Sequence, residues 1–292
     1  MKWLIVNADD FGISPGVNEG IIEAHRRGIV RSATLLANSG QFEDAVAKAR
    51  QHPDLGIGCH LSLIGGPALA ARELIPTLAN EAGELPRSWG EFLMKLRRGI
   101  PHAQLVIEFQ AQIHRLRASG LSVTHVDSHK HVHVLPPVRE AAIEAARRFG
   151  IKAIRNPFDS LNLSYLLGGG RTWGAPSTSS QFILSTGIRL FSPAFRRAIR
   201  RAGMWSPHHF FGVAFTGGLH TVLLQSIIRR LPEGVSELMC HPGYFDKALG
   251  QERTRLKQQR ERELRALTDA QLLPALRESR IELVNYQALA TV

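Results

Sequence analysis

Short apolar runs alternate with helix-patterned segments along the chain, and that rhythm constrains the fold more than any single residue. The runs are Trp3 to Ala8, Ser32 to Ala37, Leu55 to Leu63, Ser122 to Asp127, Ile151 to Arg155, Phe210 to Phe215, Ser236 to Cys240 and Ile281 to Val284. Helices are predicted between them. Ser14-Pro15 reads as an N-cap followed by a first-turn proline, Pro136-Pro137 opens another helix, and Thr268-Asp269 caps a later one. Strands separated by helices imply βαβ units and a mainly parallel sheet. A chain of 292 residues with no clear linker is the size of an α/β barrel. The expected fold is therefore a (β/α) barrel-like single domain over 1–292, with seven or eight mainly parallel strands and long loops near 64–88 and 157–180. A doubly wound open sheet is the alternative. Its dinucleotide-binding form is absent, because Gly12 and Gly16 do not make G-x-G-x-x-G.

The formal charge of +11 suggests nucleic acid until the positions of the cations are read. Arginine pairs fall just before glycine or proline at Arg26-Arg27, Arg97-Arg98, Arg147-Arg148, Arg200-Arg201 and Arg229-Arg230. Helices end there, and cations complement the negative end of the helix dipole. No nucleic-acid motif accompanies them, so no nucleic-acid partner is expected. No apolar run reaches the ~20 residues that span a bilayer, and the N-terminus lacks signal-peptide character, so the expected location is cytoplasmic. Cys59 and Cys240 are too few for a disulfide framework and read as small buried residues.

Polar residues that carry chemistry collect where the apolar runs end. Asp9 and Asp10 follow the first run, and His60 lies late in the third. Asp127, His129, His131 and His133 close the fourth, and His241 follows the seventh. In a barrel these ends converge on one face, where active sites form. One carboxylate with two imidazoles is a common facial set for a divalent metal. Such a metal acidifies water and polarises a carbonyl. Asp9 and Asp10 can divide metal binding and general-base work between them. His60 and His129 read as ligands, whereas His131 and His133 stay open. His241 reads as catalytic. His25, His52, His102, His114 and His220 read as surface or structural.

Four segments, Asn7-Ala8-Asp9-Asp10-Phe11-Gly12, Gly58-Cys59-His60-Leu61, Thr124 through His133, and Met239-Cys240-His241-Pro242, resemble the ordered motifs of the YdjC-like carbohydrate deacetylases, which include chito-oligosaccharide deacetylases. The whole chain is most similar to the hopanoid biosynthesis-associated branch of that family. The resemblance implies a (β/α)-barrel-like fold and metal-dependent removal of acetate from N-acetylated amino sugars. It implies Asp10, His60 and His129 as ligands of one divalent metal ion, magnesium or zinc. Asp9 would be the general base and His241 the general acid. Asp127 then orients one of the rings, while His131 and His133 hold the strand-end turn or touch sugar. Lys130 stands where some relatives have histidine, and is expected to point away or to touch substrate. The implied partner is an N-acetylglucosaminyl glycolipid or oligosaccharide.

Phe191, Phe195, Ala198, Ile199 and Ala202 share one helical face, with Arg196, Arg197, Arg200 and Arg201 on the other. A basic amphipathic helix of this kind suits peripheral contact with a membrane surface. Among rival activities, phosphoester hydrolysis would want a second metal or a phosphate loop. Glycoside hydrolysis would want two carboxylates flanking a sugar bond. A non-catalytic carbohydrate- or lipid-binding barrel is the rival of a different class.

Overall fold

In a computed structural model, residues 1–160 and 185–288 are described. Most of the expected 157–180 loop lies outside them. Strands β1 (Lys2–Phe11), β2 (Ser32–Leu35), β3 (Gly56–Leu61), β4 (Val123–Ser128), β5 (His209–Phe211), β6 (Gly234–Cys240) and β7 (Ile281–Val284) form one sheet. Its order is β4-β3-β2-β1-β6-β5, with β7 also paired to β1. Every strand pair is parallel. Because β6 occupies one edge of β1 from Lys2 to Ala8, the other edge is shared end to end. There β7 takes Lys2 to Ile5, and β2 pairs from Asn7 onward.

The sheet curls into a half-barrel, and single bridges rather than strands span the gap between β4 and β5. Val126 pairs with Ile154, and Ala153 with Trp205. The strand expected over Ile151 to Arg155 is thus reduced to a bridged segment. The one expected over Phe210 to Phe215 stops at Phe211 and becomes a 3-10 turn, Val213–Phe215. At that break Gly212 closes on Met239, where a Cβ would meet the Met239 side chain at 2.7 Å.

Helices cover the outside: α1 (Pro15–Arg27), α2 (Phe42–Arg50), α3 (Trp89–Arg98), α4 (His102–Ala118), α5 (Pro136–Arg148) and α6 (Ser192–Arg201), then α7 (Thr221–Arg229), α8 (Lys247–Gln251), α9 (Gln259–Leu267) and α10 (Leu272–Glu278). The Ser14 side chain caps α1 by accepting the Val17 N–H. The arginine pairs stand in the last turns of α3, α5 and α6, and Arg26-Arg27 and Arg229 in those of α1 and α7. Much of the basic excess is therefore helix-end chemistry. Between α8 and α9 the chain leaves the helical path, and residues 252–258 pass over the open end of the sheet.

In α6 the apolar face belongs to the core. Phe195 and Ile199 are buried, while Arg196, Arg197, Arg200 and Arg201 face solvent. Phe195 packs edge-on against His133 and Phe158. The helix spends its apolar residues on the barrel, which leaves only its cations for a surface. No described helix is long and apolar enough to cross a membrane.

Candidate active site

Strand β1 runs past Ala8, so Asp9 and Asp10 lie inside it rather than after it. Ala8 pairs with Ala33 but Phe11 pairs with Leu35, so β1 holds one extra residue at this point. Asp10 takes a positive φ of 67°. A bulge of this kind bends the strand and redirects a side chain. Its effect is to send two adjacent carboxylates to different partners.

Asp9 is buried and held by Arg155, whose Nη1 and Nη2 donate to its two oxygens at 2.6 and 2.7 Å. Asn7 donates to it as well, at 3.0 Å. Burial raises the Asp9 carboxyl, but the Arg155 charge more than reverses this and keeps it ionised. Asp10 turns instead toward the histidines. Its Oδ1 lies 3.1 Å from His129 Nδ1 and 3.6 Å from His60 Nε2. Its Oδ2 accepts a hydrogen bond from Arg260. Here too burial opposes ionisation, and Arg260 and His129 outweigh it, holding the carboxyl well below its usual range.

His60 is paired in register with Asp127 on the next strand. Asp127 Oδ1 is 2.7 Å from His60 Nδ1, which leaves Nε2 facing Asp10. Asp127 thus orients a ring on β3, not one of the histidines that follow it. A carboxylate behind a histidine is the usual support for a metal ligand. Burial would lower the His60 pKa, but Asp127, Asp9 and Asp10 raise it to about 9. The carboxylates around His60 favour a cation at its ring, whether proton or metal. One donor atom each from Asp10, His60 and His129 lies within 4.8 Å of the others. Two bonds of about 2.2 Å to one ion span at most about 4.4 Å, so the set fits one divalent cation after small side-chain shifts. Asp9, His60 and Asp127 form a second such group, but Arg155 Nη1 sits 2.6 Å from both carboxylates there and already supplies the countercharge.

After β4 the chain makes a tight turn with Lys130 and His131 at φ 55° and 56°. Two successive non-glycine residues in the left-handed region store strain, which tends to gather at functional sites. The turn parts the remaining histidines. His133 is buried and structural. Its Nε2–H donates to the Arg155 carbonyl at 3.3 Å, and its Nδ1 meets Ser128 Oγ. Burial pushes it down to about 4, so it is neutral. His131 lines the cavity, and its buried Nδ1 has no partner among the described residues. Lys130 does not point away. It lines the cavity too, close enough for the Asp10 charge to act on its ammonium.

The cavity holds about 400 Å³ at the strands' C-terminal end and reaches Asp9, Asp10, His60, His129 and His241 together. Trp89, Val213, Met239 and Leu256 give it an apolar side. His241 follows β6, and its backbone N–H donates to Glu263 at 2.6 Å. Burial lowers the ring to about 4, so it is neutral at rest.

Sequence reasoning missed the two buried arginines, Arg155 and Arg260. Arg155 ends one of the apolar runs, and a charge at that position was its signal. Arg260 lies in a stretch dense with exposed charges, and nothing in the pattern distinguishes it. Cys59 and Cys240 are both buried and free, as expected.

Known proteins resemble the chain along its full length. A carbohydrate deacetylase of Geobacillus stearothermophilus is 36% identical over 287 residues, covering 98% of this chain and 97% of that protein. One from Thermoanaerobacter pseudethanolicus is 30% identical, covering 99% and 100%. A solved structure from Enterococcus faecalis V583, named for cellobiose-phosphate cleavage, superposes with a TM-score of 0.78 at 29% identity and covers 99% of both chains. The family described as YdjC-like protein matches residues 3–278, and the chain belongs to that family.

Proposed function

We propose that the chain is a metal-dependent carbohydrate deacetylase that removes acetate from an N-acetylated amino sugar. The observation that carries this reading is the convergence of three metal-type donors, Asp10, His60 and His129, with a second carboxylate, Asp9, and an imidazole, His241, on one cavity. The names of the relatives point the same way. Asp10, His60 and His129 would hold a divalent cation, magnesium or zinc, which acidifies water and polarises a carbonyl when bound.

Asp9 is the general base. Arg155 keeps it ionised and fixed in direction, which a resting base requires. The same contact weakens its basicity, so it depends on an acidified water. Asp9 takes the proton as the water oxygen bonds to the acetamide carbon. His241 delivers a proton to the sugar nitrogen as the C–N bond breaks and its electron pair goes to nitrogen. The count closes, because the proton taken from water equals the proton the amine needs. Since His241 is neutral at rest, it receives that proton within the cycle. His131 and Lys130 offer polar contacts to sugar hydroxyls.

The finer reading is N-acetylglucosamine carried on a hopanoid lipid. Trp89 lines the cavity, and one turn further along α3 Leu93 is 42% exposed, with Met94 beside it at 54%. Apolar residues left in solvent next to a sugar-sized cavity suit an apolar aglycone. Peripheral contact with an anionic membrane surface is the companion reading, supported by the exposed arginines of α6.

Mass spectrometry after incubation tests these readings. Loss of one acetyl group from a glycolipid or a chito-oligosaccharide is expected, and a chelator should stop it. Preference for an alkyl N-acetylglucosaminide over chitobiose would support the lipid substrate. Equal or reversed rates would favour the oligosaccharide. Tight metal binding with no acetate released from either would indicate the non-catalytic barrel.

A further inference from the structure

We infer that Glu263 is the positioning residue for His241 and sets the direction of proton delivery to the departing nitrogen. The inference rests on the deacetylase reading but concerns a residue outside every motif that suggested it.

Glu263 sits on α9 and is 1% exposed. Its Oε2 accepts the His241 backbone N–H at 2.6 Å, and its Oε1 accepts the Gly217 N–H at 2.8 Å. It therefore ties together the chain ends after β5 and β6, both of which line the cavity through Thr216 and His241. The His241 Nδ1 is buried and has no hydrogen-bond partner among the described residues. Glu263 Oε2 lies 4.0 Å from that nitrogen. A ring movement of about 1 Å would close this gap to an ordinary hydrogen bond. One turn earlier on the same helix, Arg260 donates to Asp10. A single rigid helix thus reaches the site twice, with a cation on the ligand carboxylate and a carboxylate beside the imidazole.

The chemistry explains why a carboxylate belongs there. An imidazole that gives its Nε2 proton to an amine must carry its second proton on Nδ1, and that N–H is buried. Without an acceptor, a buried donor is costly and the ring is free to take the wrong tautomer. Glu263 supplies the acceptor only when the ring is protonated at Nδ1, so its contribution is greatest in the imidazolium that forms within the cycle and gives its Nε2 proton to the amine. A role confined to the two backbone N–H groups would make no such demand.

The experiment compares leaving groups. An amine leaves with a proton, whereas the phenolate of 4-nitrophenyl acetate leaves without one. In purified Glu263→Gln, kcat for the N-acetyl sugar should fall at least tenfold, with KM within about twofold. The loss with the aryl acetate should be at least tenfold smaller. His241→Ala should show the same selectivity, and adding Glu263→Gln to it should cost little more, as expected for residues acting as a unit. A parallel loss on both substrates, or additive losses in the double variant, would overturn the inference and leave Glu263 as a loop anchor. If the unmodified protein releases acetate from neither substrate, the deacetylase reading itself has failed.

Discussion

Asp9 and Asp10 are neighbours in sequence with different environments, and this separation is the centre of the site. Asp10 faces two imidazoles and Arg260, while Asp9 faces Arg155. The substitution Asp9→Asn should therefore leave metal stoichiometry unchanged and lower kcat by about 10²- to 10⁴-fold, the range of a general base. Elemental analysis alongside turnover checks both parts, and near-normal turnover would remove Asp9 from the base role. Asp127→Asn acts one step further out, by releasing the His60 ring. Metal affinity should fall by about 10- to 100-fold, measured by competition with a chelator. The candidate site residues that the cavity brings together were legible in sequence because each stands near a strand end in an otherwise apolar run. Their partners were not. Arg155 and Arg260 come from positions 146 and 250 residues away from the aspartates they hold, and no local pattern records such a meeting.

At the scale of elements, β3 packs closely where it passes His125. A Cβ on Gly58 would lie 2.4 Å from that ring. Tyr286 stacks on the same ring at 3.6 Å with 9° between planes, which limits how far it can yield. Gly58→Ala should cost about 1–3 kcal/mol as overpacking, visible as a lower midpoint in chemical denaturation with unchanged slope. A midpoint equal to that of the unmodified protein would show that the stack is loose. The strands were read from their apolar runs almost to the residue at β6 and β7. They were misread at Ile151 to Arg155, where the same apolar signal serves a segment bridged at single points. Burial writes apolar residues into a sequence, whereas ladder pairing depends on the neighbour across the sheet. The amphipathic pattern of α6 was likewise real. Its apolar face met the barrel, so a liposome flotation assay should report only the arginines. Binding to anionic vesicles at low salt should vanish at high salt, and binding that survives salt would mean an apolar contact the fold does not show.

Across the whole molecule, the buried histidines divide by environment, and this gives apo-protein stability a defined pH profile. His125 and His133 are pushed by burial to about 3 and about 4 from an ordinary 6.5. The unfolded chain takes up their protons as pH falls below 6.5 and the folded chain does not. Stability is therefore lost on acidification from 6.5 toward 3. His60 has the opposite sign. Its folded pKa of about 9 means that its contribution is complete below 6.5 and is lost as pH rises to 9. Each proton difference changes the slope by about 1.4 kcal/mol per pH unit. Chelator-treated protein should thus be most stable near pH 6.5, with stability falling on both sides in denaturation curves from pH 4 to 9. His125→Phe keeps a ring against Tyr286 and removes one titrating group, so the acid limb should become shallower by up to that slope while the alkaline limb is unchanged. An acid limb of unaltered steepness in the variant would place the proton uptake on other groups.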